Sequence, residues 1–455
     1  MAIQSKNPAN LEVTKTFEEM NDVALERALS LANDTFVVWR KTTFVERTAL
    51  MLKMADYLVA NSTKFGKLMS EEMGKTVAAG ASEVEKCASV CRYYAENAET
   101  LLAHEPTAVL ASESYVAFDP LGTVLAVMPW NFPFWQVYRF AAPAIMAGNV
   151  GLLKHASNVP QCAEAIAAAF TECGFPNGVF QNLLISSSRV EALIRDPRVK
   201  AVTLTGSEKA GSAVARVAGE EIKKTVLELG GSDPFIVLED ANLLLAVETA
   251  AAARLQNNVG QSCIAAKRFI VHEKIAEAFT RGLVEKFKAL VVGNPADATT
   301  QVGPLATEQI LDDVDRQVKE SMALGAEILC GAKRKSGSGY FFEPGVVVKV
   351  KKGMPLYDEE VFGPVAPIIV IANEEEAIAV ANDTPYGLGA SLFTEDYDRA
   401  KRLVPLIEAG NVFVNGQVKS DPRAPFGGIK KSGYGRELSS YGIREFVNIK
   451  NVWFK

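Results

Sequence analysis

Strand-like and helix-like segments alternate along most of this chain, from residue 135 to residue 415. The first series contains predicted strands at 149–154, 180–184, 200–204 and 225–229 and predicted helices at 159–172, 188–195 and 207–219. The second series contains predicted strands at 235–238, 268–272, 366–371, 390–393 and 411–415 and predicted helices at 242–255, 273–290, 374–382 and 396–408. Alternation of this kind predicts parallel sheets with helices on both faces. We therefore expect two α/β domains, joined near residues 229–234.

The segments outside this alternation show a different pattern. Apolar residues recur at helical spacing in 44–60 and 78–103, so the first hundred residues are expected to be helical. Two strand-like segments, 115–118 and 123–128, flank a turn and are expected to form a hairpin, and a third, 446–454, lies near the end of the chain. Because such strands often pair across subunits, we expect an oligomer, either a dimer or a tetramer.

Composition argues against several classes of protein. The chain has 455 residues, 48% of them hydrophobic, and a net charge of −6, which argues against a nucleic-acid-binding surface. Six scattered cysteines are too few for a disulfide scaffold, and no His/Cys cluster has metal-ligand spacing. The amino terminus has no apolar signal segment, and no apolar run reaches the roughly 18 residues that span a membrane. A soluble, reduced, cytoplasmic protein without a metal is expected.

Cys263 is the strongest candidate for a reactive residue. A thiol becomes a strong nucleophile only as the thiolate, so it needs a base or a charged environment. The chain has three histidines, none in a convincing catalytic setting. Glu228, in the glycine-flanked turn Leu227-Glu228-Leu229-Gly230-Gly231, is therefore predicted to be a base that acts through water.

Two features suggest a nucleotide site, although the usual GxGxxG motif is missing. Gly206 and Ser207 end a predicted strand and open a helix, where free backbone N–H groups favour an anion. Lys154 ends another strand, three residues before Ser157, and could attract a ribose phosphate. An acidic residue at position 157 would repel that phosphate, whereas serine does not. The alternatives are an ordinary capped helix at Ser207 and an exposed surface lysine at Lys154.

Six motifs occur in the order and spacing of the aldehyde dehydrogenase superfamily, which the chain resembles from end to end. They are Met128-Pro129-Trp130-Asn131-Phe132-Pro133, Leu204-Thr205-Gly206-Ser207, Leu227-Glu228-Leu229-Gly230-Gly231, Gly260-Gln261-Ser262-Cys263, Glu359-Glu360-Val361-Phe362-Gly363-Pro364 and Pro425-Phe426-Gly427-Gly428. The resemblance implies an aldehyde dehydrogenase-like α/β fold with a Rossmann-like cofactor domain, a catalytic domain and a small β oligomerisation element. We expect these at 1–228, with 112–130 contributing to an oligomerisation hairpin, at 229–425, and at 426–455 for the C-terminal loop and oligomerisation strand.

The resemblance also implies a role for each motif. Cys263 is expected to attack the aldehyde carbon, and Asn131 together with the Cys263 backbone N–H is expected to form an oxyanion hole. Glu228 is expected to activate water for thioester hydrolysis. The expected cofactor-binding residues are Trp130, Lys154, Ser157, Gly206, Ser207, Leu229, Glu360 and Phe362.

The substrate signal lies after Asn131. If this segment is helical, residues 132, 135, 136 and 139 share one face, so Trp135 and Arg139 would point into an aldehyde tunnel. Arg139 resembles the arginine with which succinate-semialdehyde dehydrogenases bind the substrate carboxylate, and Ser420 resembles a second contact in that group. Asn257 stands where some of these enzymes have a second arginine. The alternative for Arg139 is an intramolecular ion pair.

These features predict the NADP-preferring oxidation of succinate semialdehyde to succinate, with NAD as a possible second cofactor, in γ-aminobutyrate breakdown or a bypass of the tricarboxylic acid cycle. A dehydrogenase of another carboxylated or aliphatic aldehyde is the first alternative. A thiol hydrolase or acyltransferase without a nucleotide is the second, and a non-catalytic structural protein is the third.

Overall fold

The computed structural model describes residues 3–109, 112–255 and 257–455. Its helices are α1 (Asp22–Trp39), α2 (Phe44–Ala60), α3 (Ser62–Met73), α4 (Val77–Leu101), α5 (Trp135–Met146), α6 (Pro160–Glu172), α7 (Val190–Arg195), α8 (Glu208–Glu220), α9 (Leu243–Leu255), α10 (Glu273–Lys288), α11 (Glu308–Ala323), α12 (Pro355–Asp358), α13 (Glu374–Asn382), α14 (Tyr397–Leu403) and α15 (Ser439–Ile443). Short 3-10 turns at Ser187–Arg189 and Val404–Leu406 lie beside α7 and α14.

The strands follow in the same chain order. They are β1 (Ile3–Lys6), β2 (Val13–Phe17), β3 (Glu105–Pro106), β4 (Glu113–Pro120), β5 (Thr123–Met128), β6 (Val150–His155), β7 (Phe180–Asn182), β8 (Val199–Thr205), β9 (Lys224–Glu228), β10 (Pro234–Val237), β11 (Arg268–His272), β12 (Glu327–Cys330), β13 (Gly345–Val348), β14 (Val365–Ile371), β15 (Tyr386–Gly387), β16 (Gly389–Phe393), β17 (Asn411–Val414), β18 (Ile429–Lys430), β19 (Gly433–Tyr434) and β20 (Val447–Phe454).

The first large sheet has six strands in the order β19-β9-β8-β5-β6-β7. Strands β5 to β9 are parallel, and β19 adds an antiparallel edge from the carboxyl-terminal part of the chain. From β5 the chain proceeds outward through β6 to β7 and then returns to the other side of β5 as β8 and β9. Ligands of open parallel sheets bind at the carboxyl ends of the strands where this direction reverses, here between β5 and β8.

The second large sheet has seven strands in the order β12-β13-β14-β11-β10-β16-β17. All its neighbouring pairs are parallel except β12 with β13. Its central strands β10 and β11 are buried along their whole length, as expected for a sheet covered on both faces. The α/β class with two parallel sheets is therefore confirmed.

The helices before β5 position one wall of the later site. Helix α4 packs against α2, α3 and α5. Buried apolar side chains line this contact, among them Met51 and Met54 of α2, Cys87 and Cys91 of α4 and Tyr138 of α5, each 0% exposed. Helix α4 is therefore held beside α5, and the polar residues on the flank of α4 face the start of α5.

Two predictions of local structure were wrong. Segments 115–118 and 123–128 do not form a hairpin, because β4 pairs with β20 and β3 while β5 is an inner strand of the six-stranded sheet. The first hundred residues are not all helical, because β1 and β2 form an antiparallel pair at the start of the chain. The sequence reading also missed α11, β12 and β13, which complete the second sheet and its cover.

Candidate active site

Four strand ends of the six-stranded sheet supply most of the predicted site residues. In sheet order, β9 ends at Glu228, β8 leads into Gly206 and Ser207, β5 leads into Trp130 and Asn131, and β6 ends beside Lys154. Register fixes this alignment, because Thr205 pairs with Glu228 and Val127 pairs with both Leu204 and Lys154. The parallel pairing therefore brings together motifs that are far apart in the sequence.

A cavity of about 270 Å³, here named the strand-end cavity, lies at these ends. Its lining includes Trp130, Asn131, Gly206, Ser207, Leu229, Cys263, Glu360 and Phe362. The rings of Trp130 and Phe362 meet edge to face, with their centroids 5.9 Å apart. A planar aromatic ligand and a phosphate would both find suitable partners here, since Ser207 also begins α8.

Gly230, Gly231 and Lys267 fix the position of Glu360 in this cavity. A Cβ atom on Gly230 would lie 2.5 Å from Glu360 Oε2, so only glycine permits this close approach. Glu360 Oε1 accepts a hydrogen bond of 3.1 Å from the Gly231 N–H and lies 3.4 Å from the Lys267 ammonium. The second Glu360 oxygen stays available to a ligand hydroxyl in the cavity.

A second cavity of about 230 Å³, here named the α5 cavity, lies on the other side of Cys263. Phe132, Trp135, Gln136 and Arg139 all line it, which is the set that helical spacing predicts for one face. Ser420 and Asn257 line it as well. Cys263 belongs to the walls of both cavities, so it is shared by two neighbouring chambers.

Burial controls the ionisation of Cys263. It raises the pKa of the thiol to about 12, although the positive charges of Lys267 and Arg139 oppose this shift. Lys267 is fully buried and donates hydrogen bonds to the carbonyl oxygens of Ser262 and Cys263, which fixes the turn that carries the thiol. The thiol is therefore neutral near pH 7 until a ligand or a base lowers its pKa.

Asn131 is held in place from two sides. Its carbonyl oxygen accepts hydrogen bonds from Lys75 Nζ at 3.0 Å and from Asn258 Nδ2 at 2.7 Å. Its own side-chain amide donates to the Gln261 carbonyl at 3.1 Å, two residues before Cys263. This amide therefore lies beside the thiol turn, where an oxyanion formed at Cys263 would need a donor.

A buried pair of charges supports the same loop. Lys75 forms an ion pair with Glu83, and both side chains are almost completely buried. Glu83 Oε1 accepts hydrogen bonds from the Phe134 and Trp135 N–H groups, at 2.9 and 3.0 Å. These two N–H groups lie at the start of α5, so Glu83 satisfies donors that a helix leaves unpaired. Asn131 and α5 thus have a common support.

Glu228 lines neither cavity. A Cβ atom on Gly427 would lie 2.8 Å from Glu228 Oε1, so the carboxylate lies against residues 425–435, here named the glycine-rich loop. Both carboxylate oxygens are buried without a hydrogen-bond partner among the described residues. Burial, and then the nearby carboxylate of Glu437, raise the pKa of Glu228 well above its usual range.

Arg139 lines the α5 cavity and also forms an ion pair with Glu437. Its Nη2 lies 3.4 Å from Thr205 Oγ1, and its guanidinium stacks 4.9 Å from the centre of the Phe426 ring. The intramolecular ion pair that the sequence left open as an alternative is therefore present. The sequence did not indicate Glu437, although it closely follows the glycine-rich loop.

Lys154 and Ser157 lie apart from the cavity at the strand ends. Lys154 is the second-last residue of β6 and is 8% exposed, and burial lowers the pKa of its ammonium. Ser157 is exposed in the turn that connects β6 with α6. Neither residue lines the strand-end cavity, but β6 neighbours β5, which carries Trp130 and Asn131. They extend the same edge of the sheet.

Comparison with known proteins identifies the family. The Aldehyde dehydrogenase family matches residues 1–452. The chain belongs to the aldehyde dehydrogenase family. It is 54% identical over 456 residues, all of both chains, to succinate-semialdehyde dehydrogenase [NADP(+)] 1 of Mycobacterium tuberculosis. It is 53% identical over 453 residues, again all of both chains, to a probable succinate-semialdehyde dehydrogenase [NADP(+)] of Synechocystis.

A solved structure agrees with this assignment. The crystal structure of succinic semialdehyde dehydrogenase from Streptococcus pyogenes, in complex with NADP+, has a TM-score of 0.97 and 39% identity and covers all of both chains. The aldehyde dehydrogenase-like fold is thereby confirmed for this enzyme. Among the described residues, no helix has the length and apolarity that crossing a bilayer needs. The same residues contain no group of three or more side chains suited to a metal ion.

Proposed function

We propose that this aldehyde dehydrogenase oxidises succinate semialdehyde to succinate and prefers NADP. The observation that carries the proposal is the position of Cys263 in the walls of both the strand-end cavity and the α5 cavity. An aldehyde in one cavity and a nicotinamide in the other would meet at its sulfur. The names of the relatives in Mycobacterium tuberculosis and Synechocystis support both the substrate and the cofactor.

The first half of the reaction builds a covalent adduct on Cys263. The thiolate attacks the aldehyde carbon, and the carbonyl oxygen becomes an oxyanion stabilised by the Asn131 amide and the Cys263 backbone N–H. Bound NADP supplies the hydride acceptor for this adduct, so that a thioester on Cys263 results. The residues present in the strand-end cavity suit the cofactor: aromatic walls at Trp130 and Phe362, a carboxylate at Glu360 and a helix start at Ser207.

The second half hydrolyses the thioester. Glu228 takes a proton from water, the hydroxide attacks the thioester carbon, and the bond to the Cys263 sulfur breaks to release the carboxylic acid. The Glu228 side chain must rotate from its position near Gly427 to reach this water. Burial raises the pKa of Glu228, which makes its carboxylate a stronger base toward water.

Cofactor choice rests on the edge of the sheet beyond the strand-end cavity. Lys154 carries a positive charge that suits a 2′-phosphate, and Ser157 adds a small hydroxyl without a negative charge. An acidic residue at 157 would repel that phosphate. We therefore assign Lys154 and Ser157 to the adenosine half of NADP and Leu229, Glu360 and Phe362 to the nicotinamide half.

Initial rates with succinate semialdehyde and with butanal, each with NADP and with NAD, test the proposal. We expect kcat/KM for the semialdehyde to exceed that for butanal by about 100-fold or more, because binding of a charged group is lost with butanal. A ratio near one would overturn the substrate assignment and favour a second candidate, a dehydrogenase of neutral aliphatic aldehydes. The pairing of Arg139 with Glu437 is the observation that favours this second candidate.

We further propose a homodimer or tetramer that works in the cytoplasm, in γ-aminobutyrate breakdown or a bypass of the tricarboxylic acid cycle. Strand β20 supports the oligomer, because Ile449, Trp453 and Phe454 on it are 62%, 49% and 49% exposed. Exposed apolar side chains grouped on one strand are typical of protein–protein interfaces. Light scattering of the purified enzyme tests this part, and a monomer would contradict it.

A further inference from the structure

A buried arginine holds two segments of the active site together. Arg254, near the end of α9, is 0% exposed, and its Nη2 donates hydrogen bonds of 3.0 Å to the carbonyl oxygens of Gly260 and Val361. Gly260 lies three residues before Cys263, and Val361 directly follows Glu360. The backbone that carries the thiol and the backbone that carries the carboxylate are therefore fixed relative to each other.

Lys267 joins the same two segments through a charge. Its ammonium is completely buried and donates hydrogen bonds to the carbonyl oxygens of Ser262 and Cys263. Its third neighbour is Glu360 Oε1, at 3.4 Å. An ammonium has three N–H bonds, so the turn that carries the thiol and the carboxylate share its donors between them. Lys267 lines neither cavity and can act on a ligand only through these neighbours.

One further carboxyl group faces Lys267. The backbone carbonyl of Asp233 accepts a 2.9 Å hydrogen bond from the Lys267 N–H, and the Asp233 side chain accepts one of 3.1 Å from the Gly389 N–H. Burial raises the pKa of the Asp233 carboxyl group to about 7, and the charge of Lys267 opposes this shift. Asp233 is therefore only partly ionised near pH 7, and it balances only part of the charge of Lys267.

The charges around the thiol act on it in opposite directions. Burial raises the pKa of Cys263, and the positive charges of Lys267 and then Arg139 lower it. The negative charges of Glu360 and Asp233 raise it again. A ligand hydroxyl that donates a hydrogen bond to Glu360 draws off part of its negative charge and weakens its attraction for Lys267. The field of the ammonium then acts more strongly on the thiol, so the thiolate is favoured.

We propose that Lys267 is a positioning residue that transmits the binding of a ribose hydroxyl at Glu360 to the Cys263 thiol, so that the nucleophile becomes more reactive when the cofactor is bound. The thiol proton passes to solvent in this step. Because Arg254 fixes the two backbones, the coupling acts through charge and needs no movement of either segment. This inference rests on the proposed binding of NADP in the strand-end cavity.

The test measures alkylation of Cys263 by iodoacetamide at about pH 8, followed by mass spectrometry of the Cys263 peptide. Lys267→Gln keeps a donor for the carbonyl oxygens of the turn but removes the charge. Without NADP, alkylation should be about 10-fold slower in Lys267→Gln and about 10-fold faster in Glu360→Gln, because the two charges shift the pKa of the thiol in opposite directions. Lys274→Gln, which removes an exposed lysine of α10, is the control for net charge and should match the wild type.

The same rates at saturating NADP measure the coupling. The ratio of the rates with and without NADP should be about 10-fold larger in the wild type than in Lys267→Gln or Glu360→Gln. A bound cofactor that hinders the entry of iodoacetamide does so in every variant, and this effect cancels when the ratios are compared.

Two results would overturn the coupling. One is a ratio in Lys267→Gln equal to that of the wild type. The other is slower alkylation of both variants without NADP, because a disturbed turn would produce it and opposite charges would not. Titration calorimetry gives the binding of the cofactor separately. A wild-type enzyme that binds neither NADP nor NAD would refute the proposed function and this inference with it, whereas bound NADP with equal ratios would refute the coupling alone.

Discussion

Arg139 and Glu437 form an ion pair in which the two residues are only 2% and 4% exposed. The pair joins α5, which carries the wall of the α5 cavity, to the segment after the glycine-rich loop. It also lies beside Glu228, since both Arg139 and Glu437 influence the pKa of that carboxyl group. One contact thus connects the aldehyde side of the active site with the water-activating side.

Removing the charge of only one partner of this ion pair should destabilise the folded protein. Glu437→Gln leaves the charge of Arg139 buried without a partner, so the free energy of unfolding should fall by about 3–5 kcal/mol. The double variant Arg139→Met/Glu437→Gln should be less destabilised than Glu437→Gln alone, because no unpaired charge remains. Urea unfolding of four proteins, the wild type, the two single variants Glu437→Gln and Arg139→Met and the double variant, measures this, and losses that simply add would show that the two side chains do not interact.

Glu228→Gln should separate the two halves of the reaction. The glutamine amide in this variant cannot take a proton from water. Hydrolysis of the thioester should therefore slow by about 100-fold or more, while formation of the thioester continues. Rapid mixing with succinate semialdehyde should then give a burst of one NADPH per active site followed by slow turnover. Loss of the burst together with turnover would assign Glu228 to the activation of Cys263 instead.

The pH dependence of the same step follows from the raised pKa of Glu228. Only the deprotonated carboxylate can act as base, and burial together with the Glu437 carboxylate disfavours that form. Turnover limited by hydrolysis should therefore rise with pH beyond the range in which an ordinary glutamate is already ionised. Glu437→Gln removes one cause of the shift and should move this rise to lower pH, as pH profiles of kcat can show.

Local patterns predicted much of the fold. Strand β11 and helix α13 have the predicted bounds, 268–272 and 374–382. Strand β11 is buried along its whole length, and α13 buries Ala377 and Ala381, which are four residues apart as helical spacing requires. The partners of strands were harder to predict. Segment 123–128 follows β4 after a short turn, but its apolar residues belong inside a parallel sheet, and only the whole chain decides that pairing.

For the active site, too, the sequence predicted local motifs but not contacts between distant residues. Cys263, Asn131 and the residues around the strand-end cavity were predicted from motifs, because each motif is local. Glu83 and Glu437 were not predicted, because their importance comes from the start of α5 and from Arg139, which lie far away along the chain. The available signal was that Glu83 falls next to the apolar position Val84 of α4, where a charged residue needs a partner.

Alkylation of the free enzyme reports on Cys263. Since burial raises the pKa of this thiol to about 12, the thiolate fraction should increase about tenfold for each pH unit between pH 7 and 9. Inactivation by iodoacetamide should follow this slope without a plateau. Cys263→Ser, which keeps the other five cysteines, is the control for modification elsewhere. A plateau near pH 8 would show that the free enzyme already stabilises the thiolate.

Residue 157 should influence the choice of cofactor. Ser157→Glu places a carboxylate in the exposed turn after β6, beside the position proposed for the 2′-phosphate of NADP. Repulsion should raise the KM for NADP by about 10-fold or more, while a hydrogen bond to the 2′-hydroxyl should lower the KM for NAD. Ser336→Glu adds the same charge between β12 and β13 and should leave both values unchanged. If the ratio of kcat/KM for NADP and NAD stays the same in Ser157→Glu, residue 157 does not contact the ribose, and the discrimination must come from other residues.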